Sequence, residues 1–249
     1  VTVPEPPLVR LPVGTGEAAR EIAVLQRPGS GPGLFWMGGF RSDMAGTKAA
    51  ALDAMAAETG RAFTRFDYSG HGRSSGTFEE GTISRWLEES EAVFERFTSG
   101  PQVVVGSSMG GWLALLLATK LHAQRGERPS RIAGMVLLAP AVDFTEALIW
   151  NVMPKKVQKA FEASGFFDRP SEYSDPYRIP FALILDGRKH LFDGRMIETG
   201  CPVHIIHGMK DDDVPWQGST TLTTQFASDD VVLTLIRDGD HRLSRPEDI

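Results

Sequence analysis

Between Val103 and Trp112 the chain reads VVVGSSMGGW, and few segments constrain a fold as tightly. A β-branched apolar run passes directly into Gly106, Ser107, Ser108, Met109 and Gly110, and the apolar WLALLLA follows Gly111. This is a G-x-S-x-G turn with a buried strand before it and a helix after it, the context in which the motif has mechanical meaning. So sharp a turn forces its middle residue into strained backbone angles, and it brings strand and helix so close that glycine is required two residues to either side. The same geometry lifts the Ser108 hydroxyl clear of the sheet, where the helix amino terminus presents N–H groups and a positive dipole to developing negative charge. Ser108 is therefore the candidate nucleophile, with a structural turn serine as the alternative. Ser107, one position early, is expected to pack or hydrogen-bond beside the turn.

A turn of this kind needs a parallel sheet around it. Short apolar runs alternate with longer helical patterns along the chain, the signature of strands joined by crossover helices. Strands are expected at about 22–26, 34–37, 62–67, 102–106, 132–139, 203–207 and 231–236. The runs QVVVG and IAGMVLLA are almost continuously apolar, as strands covered on both faces are. Ile83, Trp86, Leu87, Phe94 and Phe97 recur at helical spacing. The predicted class is α/β, a doubly wound and mostly parallel sheet, and 249 residues suit one such domain over positions 1–249.

From about Asp143 to Gly200 the pattern changes to two helical stretches around GFFDRPSEYSDPYRIP, which reads as a small cap insertion. A helix over Leu148–Phe161 would place Leu148, Val152, Val157 and Phe161 near one face, serving either as core packing or as a lid. At the end, Ser244, Arg245, Pro246 and Glu247 read as a helix start, so one more helix is expected beyond Ile249.

A serine hydroxyl needs a base, which in this architecture follows the acid in chain order after the last strand. Of six histidines, His71 lies in a glycine-rich loop, His122 ends a helix, His190 lies in the insertion, and His204 and His207 belong to a strand. His241 alone sits in a polar loop, DGDHRLS, after the final strand, and is the predicted base. The acid belongs after the preceding strand, in VHIIHGMKDDDVPW. Asp211 is the choice there for its reach, whereas Asp212 and Asp213 are expected to face solvent or cap the helix after Pro215. Asp143 is the outside alternative. A second oxyanion donor besides the Met109 N–H is expected from Gly38, Gly39 and Phe40, with Phe40 preferred and a plain glycine turn as the alternative. His204 and His207, three apart on a strand, point to opposite faces, so no metal site is expected.

A net charge of −6 and a pI near 5.6 argue against nucleic acid as a partner. Basic residues from Lys120 to Arg131 are interrupted by Glu127 and read as a solvated loop. The single cysteine, Cys201, fits a reducing compartment. No apolar run is long enough to span a membrane, and the first residues lack a signal core or presequence. The expected location is the bacterial cytoplasm, or the mitochondrial matrix if a presequence has been removed.

With these residues placed, the chain resembles the α/β-hydrolase superfamily along its whole length. Several segments, GGFRSDMAGTKA, RFDYSGHGRSSG, GPQVVVGSSMGGW, PSEYSD, HGMKDDDVPW and DHR, are similar to the branch of α/β-hydrolase domain-containing protein ten, a mitochondrial enzyme with bacterial relatives. The resemblance implies a triad of Ser108, Asp211 and His241, no cofactor, and either cleavage of acyl glucuronides or removal of S-acyl groups from proteins. The chain departs from that branch at Asp213, at a loop around Arg125–Ser130, and in Gly38, Gly39 and Phe40. The expected function is hydrolysis of a small-molecule carboxylic ester or thioester through an acyl-enzyme. The alternatives are an acyl-protein thioesterase, an acyltransferase that excludes water, and a binding protein that keeps the fold without catalysis.

Overall fold

The architecture follows from how the apolar runs are covered. In the computed structural model, which describes residues 3–126, 130–169, 177–227 and 230–249, eight strands form one sheet. They are β1 (Leu8–Val13), β2 (Arg20–Arg27), β3 (Ser30–Met37), β4 (Arg61–Phe66), β5 (Gln102–Ser107), β6 (Ile132–Leu138), β9 (Val203–Gly208) and β10 (Val231–Ile236), while β7 (Phe166–Arg169) and β8 (Tyr177–Pro180) pair apart from it. The order across the sheet is β1-β2-β4-β3-β5-β6-β9-β10. Pairing from β4 onward is parallel, while β1 with β2 and β2 with β4 are antiparallel.

β1 escaped the sequence reading, and the reason is physical. It is an edge strand, largely exposed, with Pro12 inside it, so it carries neither an apolar run nor a full set of donors. The seven expected strands all form, with ends shifted by a few residues at most.

Alternation along β3 divides the core. Leu34 and Trp36 meet Ala49 and Ala56 of α1 (Thr47–Thr59), together with Phe63 and Val105. Phe35 and Met37 face the larger cluster built on α2 (Ile83–Phe97) and α3 (Met109–Gln124), including Trp86, Phe94 and Trp112. Helices thus cover both faces, which is why β5, between β3 and β6, can be apolar along its length. The carboxyl end of β5 runs straight into the turn that carries Ser108 and on into α3.

The segment between β6 and β9 corrects the sequence reading in two places. The single helix expected over Leu148–Phe161 is broken: a π-type turn occupies Thr145–Trp150, and α4 (Lys155–Ser164) begins after Pro154. Proline has no N–H to continue the first helix but suits the start of the second. The piece expected to be irregular contains the hairpin of β7 (Phe166–Arg169) and β8 (Tyr177–Pro180), followed by α5 (Phe181–Gly187). The PSEYSD motif and Glu127 lie outside the described residues. α5 is tied to the amino terminus of α2: Asp186 accepts the Ser84 N–H at 2.7 Å and the Ser84 hydroxyl at 2.9 Å. His190 Nε2 lies 2.7 Å from the same hydroxyl.

At the carboxyl end, Arg245–Asp248 forms a turn, with the Asp248 N–H on the Arg245 carbonyl at 2.9 Å. Arg245 also pairs with Asp238 and Asp248. No helix among the described residues is long and apolar enough to cross a membrane.

Candidate active site

The turn after β5 is as sharp as its sequence demands. Ser108 has φ 53° and ψ −119°, a left-handed backbone rarely adopted outside glycine. A methyl group on Gly106 would lie 2.5 Å from the Gly110 carbonyl oxygen, and one on Gly110 would lie 2.1 Å from that of Met37. Neither contact is sterically possible, so the crossing of strand and helix excludes any other residue there. Ser107 ends β5, buried beside the turn.

Three side chains from separate loops of the chain converge on this turn. His241 Nε2 lies 3.1 Å from Ser108 Oγ, and His241 Nδ1 lies 2.7 Å from Asp211 Oδ2. The Asp211 side chain is fully buried and that of His241 is about one-fifth exposed. Asp211 Oδ1 accepts the N–H groups of Asp213 at 3.0 Å and Val214 at 2.7 Å. Burial alone would raise the Asp211 pKa. Hydrogen bonds from His207 and His241, the charge of His241 and the Val214 N–H outweigh burial and hold it well below the usual carboxylate range. Asp211 is therefore anionic at any working pH and can fix the Nδ1–H tautomer of His241, leaving Nε2 as a proton acceptor aimed at Ser108.

The competing acids stand elsewhere. Asp212 and Asp213 are exposed, and neither side chain caps α6 (Gln217–Thr223). Asp143 spends its two oxygens on the N–H groups of Phe192 and Asp193, at 2.9 Å each. His204 bonds Thr234 at 2.9 Å, whereas His207 turns inward to Asp211, so the two rings do not converge.

Gly39 lies against the nucleophile turn: a methyl group there would be 3.3 Å from Ser108 Cβ. The next residue, Phe40, has no acceptor for its N–H among the described residues, and Met109 opens α3, where the first N–H groups have no helical partner. Two backbone donors without a hydrogen-bond partner among the described residues thus follow Gly39 and Ser108 directly in the chain. The Phe40 ring packs on Phe78 at 4.9 Å, Phe144 at 5.3 Å and Tyr177 at 6.1 Å, joining the loop after β3 to the segment between β6 and β9.

Two cavities open onto Ser108. One, about 370 Å³, has apolar Met109, Ala141, Phe144, Leu148 and Val214 among its walls together with charged Arg169, Asp213 and Arg242. The other, about 400 Å³, is more polar, with Ser42, Thr47, Lys48 and Ser244. Arg41 borders both, and its guanidinium lies over the Tyr177 ring at 4.3 Å. Burial lowers the Lys48 pKa, and its ammonium donates to the Arg242 carbonyl.

Sequence reasoning passed over His207, Arg41 and Tyr177, all of which border the triad or its cavities. His207, near the end of β9, reads in the sequence as a strand residue, weighed only with His204 as a metal pair. Arg41 and Tyr177 come together only in three dimensions.

Comparison with known proteins shows the family to which the fold belongs. A family model described as the alpha/beta hydrolase family matches residues 20–249. Palmitoyl-protein thioesterase ABHD10 of Bos taurus, a mitochondrial protein, is 36% identical over 92% of this chain and 72% of its own length. The structure of alpha/beta hydrolase domain-containing protein 10 from mouse superposes with a TM-score of 0.85 at 34% identity, covering 97% of this chain and 93% of the other. A crystal structure from Agrobacterium vitis, assigned as a hydrolase, superposes with a TM-score of 0.92 at 48% identity over 97% and 94% of the two chains.

Proposed function

The chain belongs to the alpha/beta hydrolase family, and from that premise we propose that it is a serine hydrolase cleaving carboxylic esters or thioesters through an acyl-enzyme. The observation that carries this reading is the 3.1 Å approach of His241 Nε2 to Ser108 Oγ, with a buried aspartate 2.7 Å behind the imidazole. His241 takes the Ser108 proton as the oxygen attacks the substrate carbonyl. The carbonyl oxygen, now anionic, receives hydrogen bonds from the N–H groups of Met109 and Phe40, and Gly39 leaves room for it to approach. The tetrahedral adduct collapses, the bond to the alcohol or thiol breaks, and the His241 proton leaves with that group. Water then attacks the acyl-serine, giving its proton to His241, and the acid is released with Ser108 restored. Asp211 stays ionised and orients the imidazole throughout.

The cavity walls divide the substrate. Apolar Met109, Ala141, Phe144, Leu148 and Val214 suit an acyl chain, and the polar side bordered by Thr47 and Lys48 suits the leaving group. The segment between β6 and β9 acts in this reading as a lid over the acyl side. Among thioesters, S-acylated protein is favoured because relatives 36% identical over 92% of the chain carry the name palmitoyl-protein thioesterase.

Matched esters and thioesters of graded chain length, assayed on wild type and Ser108→Ala side by side, test the reading. Loss of at least about a thousandfold in kcat/KM is expected. Undiminished hydrolysis by Ser108→Ala would overturn it, and thioester turnover no faster than that of the matched ester would remove the preference for S-acyl substrates.

A further inference from the structure

His71 belongs to the glycine-rich loop after β4, far from the triad in sequence, and its chemistry is unused by the mechanism above. The ring is buried, 5% exposed, among Tyr68, Phe78 and Trp86, with centroids at 5.8, 5.4 and 5.3 Å. Its Nδ1 lies 3.1 Å from the Ser69 carbonyl oxygen. A carbonyl can only accept, so Nδ1 carries the proton and Nε2 is left with a lone pair. That lone pair meets the Arg41 N–H at 3.1 Å.

Arg41 is the residue after Phe40, whose N–H is the second oxyanion donor in the reading above. Its φ is 58°, a left-handed backbone for a residue that is not glycine. Such a conformation persists where the surroundings fix it, and here a neighbouring loop supplies the acceptor that the Arg41 N–H requires. The loop bearing His71 is itself rigid. Ser69 O also accepts from Trp86 Nε1 at 3.2 Å, and Gly70 N–H binds the Ser75 carbonyl at 2.9 Å. Asp67 ties the two loops a second time, accepting the N–H groups of Met44 at 2.6 Å and Arg73 at 2.7 Å.

We propose that His71 is a positioning residue for the hydrolysis: through its Nε2 it holds the Arg41 peptide, and with it the Phe40 N–H, in the orientation that receives the oxyanion. The inference rests on the serine-hydrolase reading. Burial lowers the His71 pKa to about 4, so the ring stays neutral and its lone pair stays available at working pH.

The test separates the two nitrogens. His71→Asn keeps a donor near Nδ1 for Ser69 but loses the acceptor for Arg41, His71→Phe keeps the ring and loses both, and His71→Gln places an amide oxygen near the Nε2 position. Each is assayed for kcat and KM on the best ester and for affinity toward a matched trifluoromethyl ketone, whose serine adduct carries an oxyanion. The Asn and Phe variants should lose roughly 10- to 100-fold in kcat and in ketone affinity with KM little changed, and Gln should recover most of both. Wild-type kcat and ketone affinity in folded Asn and Phe variants would overturn the proposal, as would a loss confined to melting temperature. Ser108→Ala is run in parallel: full activity there sinks the serine-hydrolase reading itself, whereas its inactivity beside an unaffected His71→Asn sinks only the role of His71. Nitrogen-15 NMR of the wild-type imidazole decides the matter where variants fail to fold. A protonated Nδ1 and an Nε2 coupled to the Arg41 N–H are expected, and the opposite tautomer would refute the proposal.

Discussion

His207 lies directly behind Asp211, with Nε2 3.0 Å from Oδ2, the same oxygen that faces His241. Its other nitrogen lies 2.7 Å from the Ser219 hydroxyl. The acid is therefore clamped between two imidazoles, one fully buried and one at the rim. His207→Leu leaves the buried Ser219 hydroxyl without its partner and removes one of the two imidazoles that meet Asp211 Oδ2. A loss of about 2 kcal/mol in urea unfolding is expected, with a fall in kcat as Asp211 gains freedom to move. Unchanged stability would mean that the clamp contributes nothing.

Asp211→Asn should reduce kcat by about three orders of magnitude or more, because the amide can donate to Nδ1 and select the wrong tautomer. Its effect on stability depends on pH in a stated direction. The folded-state pKa of Asp211 is depressed, so its stabilisation is present above the unfolded value near 3.9 and is lost as pH falls through the folded one. The stability gap between wild type and Asp211→Asn, read from urea midpoints, should narrow from about pH 5 toward pH 2. A gap that widens on acidification would contradict the depressed pKa.

Ser108 is placed at strained angles for the sake of its hydroxyl. Ser108→Gly should abolish hydrolysis while raising stability by about 1 kcal/mol, since glycine adopts φ near 53° at little cost. Differential scanning calorimetry of the variant should show a higher melting temperature. A lower one would indicate that the serine side chain stabilises the turn by more than its backbone strain costs.

The buried ring of His71 makes the fold sensitive to mild acid. Its pKa falls from an ordinary 6.5 to about 4 on folding, chiefly through burial. The unfolded chain therefore binds the proton more readily between those values, and stability contributed above pH 6.5 is lost on the way down to pH 4, by on the order of 3 kcal/mol. Unfolding free energies at pH 7 and pH 4.5 should fall further in wild type than in His71→Gln, which has no proton to gain.

Legibility in the sequence tracked how local each signal was. The Ser108 turn could be read because its glycines recur at fixed spacing within one strand–turn–helix unit, although Gly110 is held to glycine by Met37 of the adjacent β3, and the loops of Asp211 and His241 could be placed by counting from apolar runs. β1 was invisible because an exposed edge strand has no periodic apolar face to betray it. The break at Pro154 was present in the letters, but a helical spacing of apolar residues spanned it and concealed the stop. His71 and His207 were seen as histidines without work to do. Their partners, the Arg41 N–H in one case and Asp211 with Ser219 in the other, are a matter of which loops face each other, and no single segment carries that information.

Two chambers sharing one hydroxyl give turnover a natural sequence in time. On the serine-hydrolase reading, the first product leaves past Thr47 and Lys48 and water enters by the same cavity, while the acyl group stays against Met109, Phe144 and Leu148. On that same reading, a longer acyl chain held between Met109, Phe144, Leu148 and Val214 should slow release of the second product more than formation of the acyl-enzyme.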